Sequence, residues 1–292
     1  MRTLPAAWWV GGAVVGVGVL ALAAASPAGR AVARRVEATV QGWSRNVIAW
    51  VSRREGKPDS LNRNLDGNGL SYGILQWTQK SGNLGILLAA MREADPAGFA
   101  SIFGTEWRRV VEVTARGSLE PVDGANLWEE PWASRFTAAG RHAPFVEVQW
   151  SLAQAGDHWR GAEDVAARLG VRTERSMTLF FDRSVHQGPA GVARTAERLL
   201  AGYARDGRSS VPYLQLLVDF SAFSAAPFRR TTQPTSPYYS SRATHITWQP
   251  VGQEWHAVTG PFDLYESIVR RTNDILRDRS LGDSPLPVVV PG

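Results

Sequence analysis

The sequence predicts a mainly α-helical protein of the α+β class, with one small β element and a buried central helix. Apolar residues recur at helical spacing over most of the chain beyond residue 40. The segment LSYGILQW, residues 70–77, has β-type content and follows the turn cluster DGNG, so it predicts a short hairpin or small sheet. The segment RSMTLFFDRSVHQGP, residues 175–189, is apolar enough for a helix buried on most sides, ended by Gly188 and Pro189.

The helices follow from the same spacing along the chain. Residues 41–54 place Trp43, Val47 and Val51 on one face, which predicts an amphipathic helix that ends near Glu55. Further helices are predicted over 83–94, 98–116, 133–140, 144–155, 161–169, 174–187, 191–205, 210–225 and 262–279. Residues 227–262 show little periodicity, and no element is predicted there.

Composition excludes several classes of function. The 292 residues are 44% apolar, enough for a sizeable core. A net charge of +5, from 32 basic and 27 acidic residues, is too modest to indicate a nucleic-acid partner, and none is predicted. The absence of Cys excludes disulfides and thiol chemistry. The five His residues show no HxxxH or HExxH spacing, so we predict neither a metal site nor a cofactor.

The amino terminus carries a long apolar run, AAWWVGGAVVGVGVLALAA. We interpret residues 1–29 as a signal peptide or a transmembrane anchor, with residues 5–25 in the membrane. Three Arg residues follow the run, and this charge bias favours retention of the remainder in the cytoplasm. The Gly and Ala content and the A-x-A cleavage options favour export instead. We expect an exported protein, secreted or tethered to the membrane and facing the envelope.

The stretch EGKPDSLNRNLDGNGLSYGILQW, residues 55–77, holds the candidate chemistry. Hydrolysis of a glycosidic bond needs one protonated carboxyl group and one ionised carboxylate. Glu55, at the end of an apolar helix, suits the acid, and Asp66, in a solvated Asn/Gly turn, suits the base, with Ser71 placed to hold the attacking water. A helix-end surface acid and an ordinary turn Asp fit the same spacing, so these residues alone do not decide the function.

Several segments, in order, extend the pattern: DGNGLSYGILQW with KSGNLGILL, PWASRFTAAGRHAPFVEVQWSLAQ, LFFDRSVHQGPAG, PYLQLLVDFSAF and SSRATHITW. Together they resemble the bacterial chitosanases of glycoside hydrolase family 46, within the lysozyme-like superfamily. The resemblance covers residues 40–255. It implies a two-lobed lysozyme-like domain over 40–280, with a small sheet beside the cleft, followed by a Pro-rich tail over 281–292.

The resemblance implies an endo-acting, inverting hydrolase of β-1,4-linked amino-sugar polysaccharide. Carried over by position, Glu55 would be the general acid, Asp66 the general base, and Ser71, where the family has Thr, the water-orienting hydroxyl. The residues predicted to contact the substrate are Asn68, Tyr72, Asn83 and Gln187.

Departures from the family pattern leave the substrate open between chitosan and peptidoglycan. Asn68 stands where the chitosanases have Arg, and Asn83 where they have an Asp that helps hold a cationic sugar. The separation of Glu55 from Asp66 is shorter than in the chitosanases and closer to phage-type lysozymes. A peptidoglycan-degrading muramidase and a catalytically inactive wall-binding protein are therefore the alternatives.

Other polar residues have structural interpretations. Asp182 and its neighbour Arg183 in the buried helix are predicted to form an ion pair that supports the acid through an Arg network. His186, near the end of that helix, is predicted to face the cleft, and Trp77 to lie in the core.

Overall fold

A computed structural model describes residues 42–65, 67–226, 244–251, 254–261 and 264–284, with the side chains of 244–267 left out. The helices are α1 (42–55), α2 (Asn83–Ala94), α3 (Pro96–Phe103), α4 (Trp107–Ala115), α5 (Trp132–Ala139), α6 (Ala143–Ala155), α7 (Asp157–Leu169), α8 (Glu174–Arg205), α9 (Tyr213–Ala225) and α10 (Leu264–Arg277). The strands are β1 (Leu61–Arg63), β2 (Leu70–Tyr72), β3 (Trp77–Thr78), β4 (Thr244–Val251) and β5 (Glu254–Pro261).

The predicted mainly helical architecture with a small sheet is confirmed. β1, β2 and β3 form an antiparallel sheet in that order, so the hairpin or small sheet predicted over 70–77 is present, as the two short strands β2 and β3 around a turn. The single helix predicted over 98–116 is wrong, because the chain breaks at Gly104, whose φ of 71° is in the left-handed region. The β4–β5 ribbon was also missed, since its strands pair with each other rather than following a local periodicity.

The described residues near the two ends of the chain can be compared with the predicted membrane segment and the predicted Pro-rich tail. Among the described helices, none has the length and apolarity needed to cross a membrane, and the predicted membrane segment, residues 5–25, lies outside the described residues. At the other end, residues 281–283 contact the body of the protein. Leu281 is buried, and Arg175 Nε donates to Asp283 Oδ1 at 2.8 Å. The packed body therefore extends at least to residue 283.

The central helix α8 is buried over residues 175–184 and kinks at its middle. Gly188 has φ 71° and ψ 161°, outside helical geometry, and Pro189 supplies no backbone N–H to continue the ladder. The two helical segments predicted on either side of this point are therefore confirmed, and they meet at an angle.

Two hydrophobic clusters give the molecule its two lobes. The helical core is built mainly from α1, α7, α8 and α9, with large buried side chains such as Trp50 and Phe180. The sheet-side core joins the β-sheet to α2–α6 and includes Phe103 and Phe136. Trp77 on β3 is half-buried and packs against both clusters. The sheet thus lies where the two lobes meet.

Two buried glutamine amides satisfy the backbone around β2. Gln149 on α6 is fully buried; its Oε1 accepts from Ile74 N at 3.0 Å and its Nε2 donates to Pro58 O at 2.9 Å. Gln79 accepts from Leu70 N at 3.1 Å through its Oε1. Because buried backbone groups need partners, Gln149 fixes the sheet against α6, and Gln79 fixes the start of β2.

Replacement of Gln149 with Met tests the first of these contacts. The variant keeps the side-chain volume but leaves the Ile74 N–H and the Pro58 carbonyl unpaired, so the free energy of unfolding should fall by about 1–3 kcal/mol for each unpaired group. Chemical denaturation measures it. Gln154→Met, at a half-buried position on the same helix, is the control. Equal losses in the two variants would contradict the role given to Gln149.

Candidate active site

Glu55 is the last residue of α1, and the packing of that helix determines where its carboxyl group lies. Val47 and Trp50 anchor α1 in the helical core. Directly after Glu55, a Cβ on Gly56 would come within 2.7 Å of Gly73 O and Gln76 Nε2. The helix end therefore abuts the turn between β2 and β3. The Glu55 side chain is 20% exposed, so it is anchored yet accessible.

Arg271, on α10, joins Glu55 to the central helix. Its Nε donates to Asp182 Oδ1 at 2.8 Å, and its Nη2 contacts the same oxygen. That Nη2 also lies 2.8 Å from Glu55 Oε1. Asp182 has no exposed surface, and the Arg271 side chain is 10% exposed. One guanidinium group thus bridges two carboxyl groups from helices far apart in the chain.

The charges of this network are matched. Arg183 Nη2 contacts Asp182 Oδ2, so the buried carboxylate faces two guanidinium groups. Burial by itself raises the pKa of Asp182, but the charges of Arg183 and Arg271 outweigh it and hold the pKa well below its usual range. Burial likewise lowers the pKa of Arg271, and Asp182 and Glu55 raise it above its ordinary value. Both groups are therefore ionised at neutral pH.

His186 also faces Glu55. Its Nδ1 donates to the backbone carbonyl of Asp182 at 2.7 Å, and its Nε2 lies 3.7 Å from Glu55 Oε1. Burial lowers the pKa of His186 below its ordinary value near 6.5; Arg271 and Arg183 act in the same direction, against Asp182 and Glu55. The imidazole is therefore neutral at pH 7.

These side chains do not suit a metal ion. One ligand atom each from Glu55, Asp182 and His186 lies within 4.8 Å of the others. The carboxylate oxygens of that set, however, already contact the guanidinium groups of Arg271 and Arg183. A divalent cation there would be repelled by two fixed positive charges, so the donor set favours the ion pairs.

The turn between β1 and β2 carries the second predicted acid. Asn64, with φ 62°, closes it by accepting from Gly69 N at 2.8 Å through Oδ1, and Asn62 Oδ1 accepts from Leu65 N at 3.1 Å. Asp66, the predicted base, belongs to this turn in the chain and lies outside the described residues.

Three further predicted site residues lie within this turn or after it in the chain. Ser71 is in the middle of β2, paired with Asn62 and Thr78, and is only 4% exposed. Asn68 is half-buried, and its carbonyl accepts from Lys80 N at 3.1 Å. Asn83 is exposed at the first residue of α2.

Two residues predicted to contact the substrate have partners within the protein. Tyr72 has no exposed surface and packs edge-on against Phe136, with 5.3 Å between ring centroids, so the prediction that it contacts the substrate is wrong. In Gln187, Nε2 donates to both Ser224 O at 2.8 Å and Ser224 Oγ at 2.7 Å. These two hydrogen bonds connect the α8 kink to α9.

Arg271 is the site residue that sequence reasoning missed. Nothing in its helix distinguishes it from the exposed Arg270 beside it. The indirect signal was Asp182, since an acid predicted to be buried needs cations beyond its neighbour Arg183. The predicted ion pair of Asp182 and Arg183, and its link to the acid through an Arg, are both present.

With this geometry in view, comparison with solved structures identifies the fold. The native chitosanase from Bacillus subtilis MY002 matches at 15% identity with a TM-score of 0.50, covering 80% of this chain and 86% of that one. The GH46 chitosanase of Gynuella sunshinyii, solved with chitotetraose, matches at 16% identity with a TM-score of 0.51, covering 81% and 87%. This protein therefore has the fold of those chitosanase structures. No protein-family model and no curated protein matches the chain.

Arg271→Met tests the bridge. Removing one partner of a buried ion pair leaves Asp182 undercompensated, so the free energy of unfolding should fall by about 3–5 kcal/mol. Chemical denaturation is the measurement. Arg270→Met, at the exposed neighbouring position, should change it by no more than about 0.5 kcal/mol. A loss in Arg271→Met as small as in this control would show that the bridge does not hold the helices together.

Proposed function

We propose that this protein is an endo-acting glycoside hydrolase that cleaves β-1,4-linked amino-sugar polysaccharide with inversion at the anomeric carbon. One observation carries the proposal. In a fold shared with solved chitosanases, the 20% exposed side chain of Glu55 lies at the end of a helix anchored in the helical core, and its Oε1 lies 2.8 Å from Arg271 Nη2. A carboxyl group that is accessible, anchored and next to a compensating cation is suited to acid catalysis.

In this mechanism Glu55 protonates the glycosidic oxygen as the bond to the anomeric carbon breaks. The carboxylate that remains is neutralised by Arg271, which is already in place and needs no rearrangement. Asp66, in the turn closed by Asn64, takes a proton from a water molecule that attacks the opposite face of the sugar. Ser71, on the strand that leaves this turn, orients that water.

The Glu55→Gln and Asp66→Asn variants test these roles. Each should lower the release of reducing ends from chitosan by roughly 10²–10⁴-fold, the usual contribution of a general acid or base. Folding, followed by circular dichroism, should be retained. Glu93→Gln, at an exposed position on α2, is the matched control and should keep full activity. Full activity in either site variant would exclude that residue from catalysis.

The products and substrates of the same assay separate the alternatives. An inverting enzyme acting on a β-linkage releases the α-anomer first, which proton NMR of fresh product detects. A muramidase is the second candidate, because the exposed Asn83 supplies no carboxylate for a cationic sugar. Cleavage of peptidoglycan but not chitosan would assign it. Binding to cell walls without cleavage of either polymer would indicate a wall-binding protein.

We also propose that residues 1–29 direct export, with the protein secreted or tethered through residues 5–25. The support is the uncharged apolar run in the sequence. Cell fractionation of the full chain should place it outside the cytoplasm, and sequencing the mature amino terminus should distinguish cleavage from tethering. Recovery of the intact chain in the cytoplasm alone would contradict the proposal.

A further inference from the structure

His186 has no part in the acid–base pair described above, yet it faces the acid directly. Its Nε2 and the Arg271 Nη2 approach the same atom, Glu55 Oε1, at 3.7 and 2.8 Å. The two neighbours are chemically opposite. Arg271 is a cation that stabilises the carboxylate, whereas a neutral imidazole nitrogen can accept a proton.

The backbone determines which nitrogen of His186 is free. A carbonyl oxygen can only accept, so the 2.7 Å contact with the Asp182 carbonyl requires the hydrogen on Nδ1. In the neutral ring, Nε2 then carries a lone pair and no hydrogen. That lone pair faces Glu55.

The oxygen that His186 faces can take part in a further hydrogen bond. Glu55 Oε1 is buried and receives no hydrogen bond of good geometry from the described residues, although Arg271 Nη2 lies 2.8 Å away. With Glu55 ionised, two electron-rich atoms face each other without a proton between them, in keeping with a separation beyond hydrogen-bond length. With Glu55 protonated on Oε1, the acid O–H can donate to Nε2, and the contact can shorten.

The surrounding charges mean that Glu55 needs a hydrogen-bond acceptor to keep its proton. Among the described residues, the charged groups that act on His186 are Asp182 and Arg183 on its own helix, Arg271 on α10 and Glu55 on α1. The negative charge of Asp182 balances one of the two guanidinium charges. The remaining positive charge favours the ionised form of Glu55. A general acid must nevertheless carry its proton when the substrate arrives.

We propose that His186 is the positioning residue that retains the acid proton of Glu55 between turnovers, through a hydrogen bond from the Glu55 carboxylic acid to Nε2. This inference rests on the proposed function. When the substrate binds, rotation of the terminal carboxyl group, which is nearly free in Glu, presents the proton to the glycosidic oxygen. The O–H bond of Glu55 breaks, the proton joins the leaving oxygen, and the electron pair stays on the carboxylate beside Arg271.

The first test needs no catalysis. In full-length protein labelled with ¹⁵N-His and ¹³C-Glu, His186 should show the neutral tautomer with hydrogen on Nδ1 at pH 7. The Glu55 carboxyl signal, assigned by its loss in Glu55→Gln, should titrate at a pH lower by about half a unit to one unit in His186→Phe, the value of one hydrogen bond. His142→Phe, in the sheet-side lobe, should leave it unchanged. Hydrogen on Nε2 in the wild-type protein, or an unshifted midpoint in His186→Phe, would overturn the inference.

The second test measures the pH profile of kcat/KM on chitosan oligomers. In His186→Phe the alkaline limb should move to lower pH by the same amount, with KM at the optimum unchanged. A uniform loss of activity at every pH would indicate a purely structural role and overturn the inference. If the Glu55 midpoint shifts in His186→Phe but the wild-type protein hydrolyses neither polymer, only the proposed function is rejected. If the wild-type protein hydrolyses chitosan but the midpoint does not shift, only the role of His186 is rejected.

Discussion

The contact of Arg271 with both Asp182 and Glu55 is the interaction on which the rest of the structure depends. A carboxylate with no exposed surface is costly to bury unless cations and hydrogen bonds compensate it. Here the compensation comes from α8 itself and from α10, nearly ninety positions further along the chain. The network therefore stabilises only one packing of α1, α8 and α10. Since Glu55 ends α1, that packing also places its carboxyl group.

The second constraint is the position of the sheet between two cores. Trp77 packs against both hydrophobic clusters, and the buried amides of Gln149 and Gln79 bind the backbone on either side of β2. The sheet that carries the β1–β2 turn is therefore held in position by α6. Asn64 closes the turn itself. A catalytic pair divided between α1 and this turn would be joined by packing rather than by the short chain between them.

In the proposed mechanism the network gives Glu55 two neighbours of opposite character. Arg271 would stabilise its carboxylate, and the lone pair of His186 would accept a hydrogen bond from its protonated form. A general acid needs the protonated form before the bond breaks and the charged form afterwards. Both neighbours belong to helices with buried faces, so neither would have to move during the proposed reaction.

The sequence by itself determined the helical class, the small sheet, the central helix over 174–187 and the candidate acid at the end of α1, because these depend on local periodicity and turn residues. It also indicated the Asp182–Arg183 pair, since adjacent charges in an apolar helix need each other. Only the tertiary structure decided that Arg271 completes the network, that Tyr72 lies in the core and that the Gln187 amide holds the α8 kink. Those outcomes depend on which distant elements meet, and the pattern of an isolated segment does not encode the identity of its neighbours.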